Sequence, residues 1–413
     1  MKRQAGFFAA VLAGMVAGSL MASAETVGPV TDPIGVVKVP KGAPLQIGGY
    51  WVLSGADAAL GTDQKRAVEI AIADHGGKLL GHPIKLNAED SLCSAEGGQT
   101  AAQKLAANPA QILVLGPSCS SEATPGAPIL WKAGMVSIGT SSSAPALTAP
   151  TRKPEYDGFA RTIFSDIDQG AADAKWMHDV LKAKRIVTIH DGSAYAQQLT
   201  AETAKNFQAL GGTVLSQEAV APSDVDMHPL LTRIATEKPD ALYMPIFVAA
   251  AAQVLRQSLE VPDLKSIAKI GGGALMAPDM IEAAGASVVG FRIGYPDVST
   301  EAMGKGYPDF VAKYTKTFGQ APISGFHADA YDAAQLAFRA IAKVAVTDKD
   351  GTLYIGRKAL RDAVFASKFD GISGPIECNQ YGQCGRFKPA VYEFTNADPK
   401  TFQIGVNPKK IYP

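Results

Sequence analysis

The chain has 413 residues, 47% of them hydrophobic, with 39 basic and 39 acidic side chains. That is apolar material for two ordinary domains with sizeable cores rather than one. Balanced charge provides no overall field for nucleic acid or an anionic membrane, so partners recruited by bulk charge are excluded.

Lys2 and Arg3 open the chain, an apolar stretch runs from Phe7 to Met21, and Ala22-Ser23-Ala24 forms an A-x-A cleavage pattern, so residues 1–24 read as a secretory signal peptide. The stretch is short for a membrane span, no other segment is apolar for long enough, and no cysteine follows the cut to take a lipid. Residues 25–43 are rich in glycine, proline and valine without periodicity and are expected to be a flexible lead-in.

Structure is expected to begin at Leu45. Leu45 to Leu53 reads as a strand ending at Ser54-Gly55, and Thr62 to Asp74 carries Ala67, Ile70, Ala71 and Ala73 at helical spacing. Ile84 to Ala88 is the next strand and Glu96 to Ala106 the next helix. The apolar run Ile112 to Leu115 then stops at Gly116-Pro117 and delivers Ser118, Cys119, Ser120 and Ser121 ahead of a helix near Pro125 to Lys132. Met135 to Ile138 stops at Gly139 and delivers Thr140 to Ser143. Hydroxyls and unpaired N–H groups where strand passes to helix form a receptor for a small anion, and in a parallel sheet both loops open on the same edge.

A second βα series follows, with helix Gln169 to Leu181, strand Arg185 to His190, helix Ala194 to Leu210 and strand Thr213 to Ala219. Helix His228 to Glu237, strand Ala241 to Ile246, helix Ala249 to Leu259 and strand Ala268 to Gly272 complete it. Two helical stretches come next, including Ala328 to Ala345, and Gly371 to Phe394 alternates like a hairpin. The fold class is α/β, two doubly wound Rossmann-like lobes.

In an oxidising compartment the four cysteines suggest two local disulfides, Cys93 to Cys119 and Cys378 to Cys384. No C-x-x-C pair occurs and the six histidines are scattered, so no metal is expected. Gly271-Gly272-Gly273 lacks dinucleotide spacing and Asp191-Gly192 is no phosphate loop, so no cofactor is expected either. Gly116 to Ser120 misses the nucleophile elbow because Ser120 stands where its last glycine would be. Glu89 and Asp90, adjacent in an extended chain, point to opposite faces and suit a structural role. Tyr195 and Phe247 follow strand ends at the rim of the second sheet, facing the serine loops of the first lobe.

Leu53-Ser54-Gly55, Cys93 with Gly116 to Ser121, Arg161-Thr162, Ile189-His190-Asp191 with Tyr195, Leu255-Arg256-Gln257 and Phe369 to Pro375 occur in that order. As an ordered set from about Leu45 to Phe394, they resemble the periplasmic leucine/isoleucine/valine-binding proteins of ABC transporters, the type I periplasmic binding protein fold. The resemblance implies two lobes joined by a three-crossover hinge, with crossings near Ile163, Gly294 and Asp370. That places residues 44–163 and 295–369 in lobe 1, and 164–294 and 370–413 in lobe 2. It implies a non-enzymatic periplasmic protein, monomeric, that captures a small amino-acid-like or carboxylate-bearing ligand and presents it to an ABC permease in the inner membrane. By position, Ser120 and Ser141 hold the ligand's polar groups beside Ser121, Gly139 and Thr140 lend backbone groups, and Tyr195 and Phe247 close from lobe 2.

Two departures qualify the ligand. The acid that pairs with an α-ammonium falls near Gly273, where no carboxylate stands, and an aromatic lining the side-chain pocket falls at Leu60. A buried ammonium without a counter-charge is costly, which opens amides, urea-like molecules and aromatic acids as alternatives. Asp191, Asp224 and Asp297 are the carboxylates in neighbouring loops that could take the missing role. A ligand-sensing regulator of the same fold and an enzyme using Ser118 are the rival readings of function.

Overall fold

The computed structural model describes residues 24–413, so the expected signal peptide lies outside the described residues apart from Ala24. Two mainly parallel sheets are formed by the two βα series, the first carrying the antiparallel strand Lys78–Leu79 at its edge. In the first, the strands lie in the order Lys78–Leu79, His82–Asp90, Leu45–Trp51, Gln111–Leu115, Ser137–Gly139, Phe159–Arg161. Gln111–Leu115 is buried along its whole length because helices cover both faces. Leu113 and Leu115 join the cluster built on helices Ala58–Asp74 and His327–Val344, whereas Val114 joins Leu105 and Leu130 on the other face. Alternation along one strand therefore ties two helical layers to one sheet.

The second sheet has the order Thr213–Ala219, Arg185–His190, Ala241–Tyr243, Ala268–Gly271, Arg292–Pro296, Pro389–Glu393, Lys409–Tyr412, the last two antiparallel to their neighbours. In each sheet the strand order reverses beside the first strand of its series. The two switch points are the loops after Leu45–Trp51 and Gln111–Leu115, and the loops after Arg185–His190 and Ala241–Tyr243. At such points two loops part to opposite faces and leave a crevice at the carboxyl ends of the strands.

Three boundaries differ from the sequence reading. The second crossing falls after Pro296 rather than near Gly294, because strand Arg292–Pro296 pairs along its whole length in the second sheet and Tyr295 is buried in that lobe's core. The lead-in is ordered: Glu25–Val27 pairs with Val30–Asp32, and Val36–Val39 pairs with Leu353–Gly356. Val37 and Val39 are buried in the first lobe's core while Lys38 is exposed, a two-residue alternation too short to stand out among the glycines and prolines. Residues 370–386 pack on lobe 1 rather than lobe 2: Ile376 and Cys384 sit in its core, and Gln383 pairs with Arg161 at the edge of its sheet. Gln383 holds the segment there, accepting from Arg161 Nε at 2.6 Å and donating to Ile163 O at 2.7 Å. The third crossing thus falls between Gly385 and Lys388, beside the second, where Asp297 N donates to Lys388 O. Phe164 in the first crossing and Phe387 in the third pack at 4.7 Å between ring centroids. Both disulfides form, Cys93 with Cys119 and Cys378 with Cys384. Among the described residues no helix is long and apolar enough to cross a membrane.

Candidate functional site

The helix at the first switch point begins at Ser120, five residues before the prolines that mark it in the sequence. Cys119 is its N-cap, and Glu122, three residues on, accepts from Cys119 N at 2.8 Å, as a capping box requires. Glu122 also accepts from Ser91 Oγ at 2.6 Å and Cys93 N at 2.8 Å, which fastens the two halves of the disulfide loop together. Burial lifts its carboxyl to about 7 against the hydrogen bonds that favour the ionised form. Ser120 and Ser121, in the helix's first turn, have amides without intrahelical acceptors.

The second serine loop is stitched onto the first. Ser141 Oγ donates to Ser118 O at 2.5 Å and accepts from Gln64 Nε2 at 2.8 Å, and Ser142 Oγ donates to Pro117 O at 2.9 Å. Ser120 Oγ accepts from Ala144 N at 3.1 Å. Behind these loops the fully buried Arg161 donates to Ser142 O and Ala144 O, and burial lowers its pKa to about 10, which leaves it charged. Burial raises the neighbouring Asp166 to about 7.

In lobe 2, Asp191 accepts from Ser193 N at 3.1 Å and from Phe247 N at 2.9 Å, joining the two switch loops. Ser193 caps the helix that begins at Ala194, and that helix carries Tyr195 into the cleft, its ring 5.8 Å from that of Phe247. The Tyr195 hydroxyl is buried, and burial raises its pKa well above the usual phenol value.

Between the lobes lies a small, tightly closed cavity. Lobe 1 contributes Leu60, Ser118, Cys119, Ser120, Ser141 and Ser143, and lobe 2 contributes Gln169, Tyr195, Phe247, Gly273 and Ala274. Phe164 from the first crossing and Phe326, ahead of helix His327–Val344, complete the wall. Six of the expected residues therefore meet: Ser120, Ser141, Tyr195, Phe247, Leu60 and Gly273. Three do not line the cavity. Thr140 is consumed by Trp51 Nε1, Gln64 and Pro117 O. Gly139 ends a buried strand against Phe159, and Ser121 Oγ accepts from Ala194 N of the other lobe. Ser118, Ser143, Phe164, Gln169, Ala274 and Phe326 were not singled out as ligand residues. Of these only Ser118 and Ser143, within the hydroxyl-rich loops, carried a sequence signal.

Among the described residues, no acid, lysine, arginine or histidine lines this cavity. Ser118 consequently has no base beside it, and its Oγ accepts from Val52 N at 3.3 Å. The three carboxylates that could replace the missing acid are engaged elsewhere: Asp191 as above, Asp224 with Ala221 N, and Asp297 with Ser299 N and Lys410. Gly273 itself has no room for a side chain, since a Cβ there would lie 2.6 Å from Tyr295 Cδ2 and 3.1 Å from Phe326 Cζ. An aromatic wall stands where an ammonium partner would be. The grouping Cys93, Cys119 and Glu122 brings potential metal-ligand atoms together, but its sulfurs are joined in the disulfide.

The family model for periplasmic binding proteins matches residues 44–387. An amino acid binding protein of Pseudomonas aeruginosa is 28% identical over 209 residues, 50% of this chain and 55% of that protein, so the chain spans about half the length of the curated relative it matches. A leucine binding protein, LivK, from Thermotoga maritima superposes with a TM-score of 0.76 at 23% identity, over 86% of this chain and 96% of that one. A solute binding protein of an ABC transporter from R. palustris, in complex with benzoate, superposes with a TM-score of 0.72 at 22% identity, over 89% and 96%. Two doubly wound lobes, three crossings and a cavity between facing switch points accord with that match, and the chain belongs to the periplasmic binding protein family.

Proposed function

We propose that this chain is the solute-binding component of an ABC importer, and that its ligand is a small carboxylate without an α-ammonium, an aromatic acid in the first instance. The observation that carries the ligand class is Gly273, where Tyr295 and Phe326 fill the space a counter-charge would need. The rest of the cavity supports the same choice. The amides and hydroxyls at the start of helix Ser120–Lys132 suit a carboxylate, and the aromatic lining of Phe164, Tyr195, Phe247 and Phe326 suits a flat ring once the lobes part to admit it. Among the relatives, the benzoate complex has this ligand chemistry, whereas the names of others point to amino acids.

On this reading the chain is exported to the periplasm and does no chemistry of its own. It holds its ligand between closed lobes and releases it, as a monomer, to an inner-membrane permease. A thermal-shift panel on the chain from Glu25 onward tests the proposal, using benzoate, hydroxybenzoates, benzamide, leucine, isoleucine and valine. A ligand bound only by the folded state raises the melting temperature by mass action. Stabilisation by benzoate or a hydroxybenzoate is expected. Stabilisation by the aliphatic amino acids alone would overturn the ligand class.

A further inference from the structure

Four hydrogen bonds cross the mouth of the cleft, and they share one construction. In each, a side-chain oxygen of one lobe accepts from a backbone N–H in the opening turn of a helix in the other. Val248 N, at the start of helix Val248–Ser258, donates to Asp57 Oδ1 at 3.2 Å, and Ala194 N, at the start of helix Ala194–Ala209, donates to Ser121 Oγ at 3.1 Å. The reverse pair runs from Ala59 N, in the first turn of helix Ala58–Asp74, to Asp279 Oδ2 at 3.4 Å, and from Ala146 N, in a short 3₁₀ turn, to Gln198 Oε1 at 2.9 Å. Each lobe thus supplies two acceptors and two amides.

These amides have no acceptor within their own helices, so in an open cleft they face water. None of the four acceptor residues lines the ligand cavity. Asp57 is diverted to this task, since it stands at the N-cap of its own helix yet makes no capping bond there. We propose that Asp57, Ser121, Gln198 and Asp279 are positioning residues that form a reciprocal clasp, holding the closed state without touching ligand and so setting how long a ligand stays. The inference rests on the reading above, that ligand is captured between closing lobes. A clasp made only after closure leaves the encounter rate alone and acts on release, which is where affinity is usually tuned.

The test uses the chain from Glu25 onward, with Asp57→Ala and Asp279→Ala singly and together, and Asp57→Asn/Asp279→Asn as the variant that keeps an acceptor oxygen. With benzoate as probe in stopped-flow fluorescence, the double alanine variant should release about tenfold faster, with an association rate within about twofold. The asparagine pair should restore slow release. Ligand-free melting temperatures should stay close together, since neither Asp57 nor Asp279 bonds through its side chain to another residue of its own lobe. A spin-label pair, one label on each lobe, gives a readout that needs no ligand: the closed fraction of the unliganded chain should fall in the alanine variant and recover in the asparagine one. Unchanged release, or an unchanged closed fraction, would overturn the clasp. Failure of benzoate to bind wild type would count against the ligand class, and the label distances would still decide the clasp.

Discussion

Replacing Gly273 with alanine tests the argument that an aromatic wall has displaced the counter-charge. The new Cβ would stand 2.6 Å from Tyr295 Cδ2 and 2.8 Å from Cε2, where ordinary contact begins at 3.4 Å, so the ring must give by nearly an ångström. It has nowhere to go. On the far side a Cβ at Gly325 would already lie 2.5 Å from Tyr295 Cζ, and Phe326 packs edge-on at 5.2 Å. The backbone at Gly273 is not left-handed, so the penalty is steric alone. Overpacking of this kind costs about 1–3 kcal/mol, and a ring pinned between two glycines belongs at the upper end. Urea unfolding of the chain from Glu25 gives the number directly, and Gly273→Ala in a Tyr295→Leu background should lose about half of that cost by double-mutant cycle. Gly273→Asp should likewise destabilise and should not confer leucine binding in a calorimetric titration. A cost below about 0.5 kcal/mol, or leucine affinity in Gly273→Asp, would refute the reasoning.

Other consequences are open to simpler measurements. Ser120→Ala removes a cavity hydroxyl and leaves Ala144 N without its acceptor; isothermal titration with benzoate should show about a tenfold weaker complex. Converting Cys93 and Cys119 together to serine opens a loop of 26 residues, and chain-entropy reasoning puts the loss near 3.5 kcal/mol, roughly, readable in urea and accompanied by weaker ligand binding because Cys119 lines the cavity. Asp166, raised to about 7 by burial, sits above the value of about 4 for an aspartate in an unfolded chain. The unfolded chain therefore releases this proton first, so stability falls as pH rises from about 4 to about 7 and is greater on the acid side. Asp166→Asn should flatten that part of the profile, narrowing the gap between unfolding free energies at pH 5 and pH 8 by about 1–3 kcal/mol; an unaltered gap would show that Asp166 is not protonated in the fold.

What could be read from the sequence follows physical range. The βα alternation was legible because hydrophobic period and glycine punctuation are local, and so were the serine loops, since a strand that stops at Gly116-Pro117 must deliver Ser118 to Ser121 at its end. The starts of helices were less so: the box that opens helix Ser120–Lys132 uses a cysteine and Glu122, and its prolines at 125 and 128 conceal it. Phe326 and Gln169 reach the cavity from elements remote in sequence, and nothing around them differs from an ordinary core or helix face. The triple glycine had no local explanation either. Its cause is tertiary: a Cβ at Gly272 would meet the Tyr195 hydroxyl at 2.1 Å, and one at Gly273 would meet Tyr295. The lead-in failed for the same reason, because the partner of Val36–Val39 lies at Leu353–Gly356, more than 300 positions away.

Cavity and clasp divide the work of binding in a way that can be separated. The cavity alone distinguishes ligands, since Leu60, Phe164, Phe247 and the serine hydroxyls are the groups that meet them. The clasp makes the same bonds whatever is enclosed, so its contribution appears in every affinity and cancels in their ratios. Across benzoate and its ring-substituted derivatives, the Asp57→Ala/Asp279→Ala chain should therefore bind each compound more weakly by one common factor while their rank order stays fixed. A changed rank order would mean that the clasp reaches into the cavity and takes part in recognition.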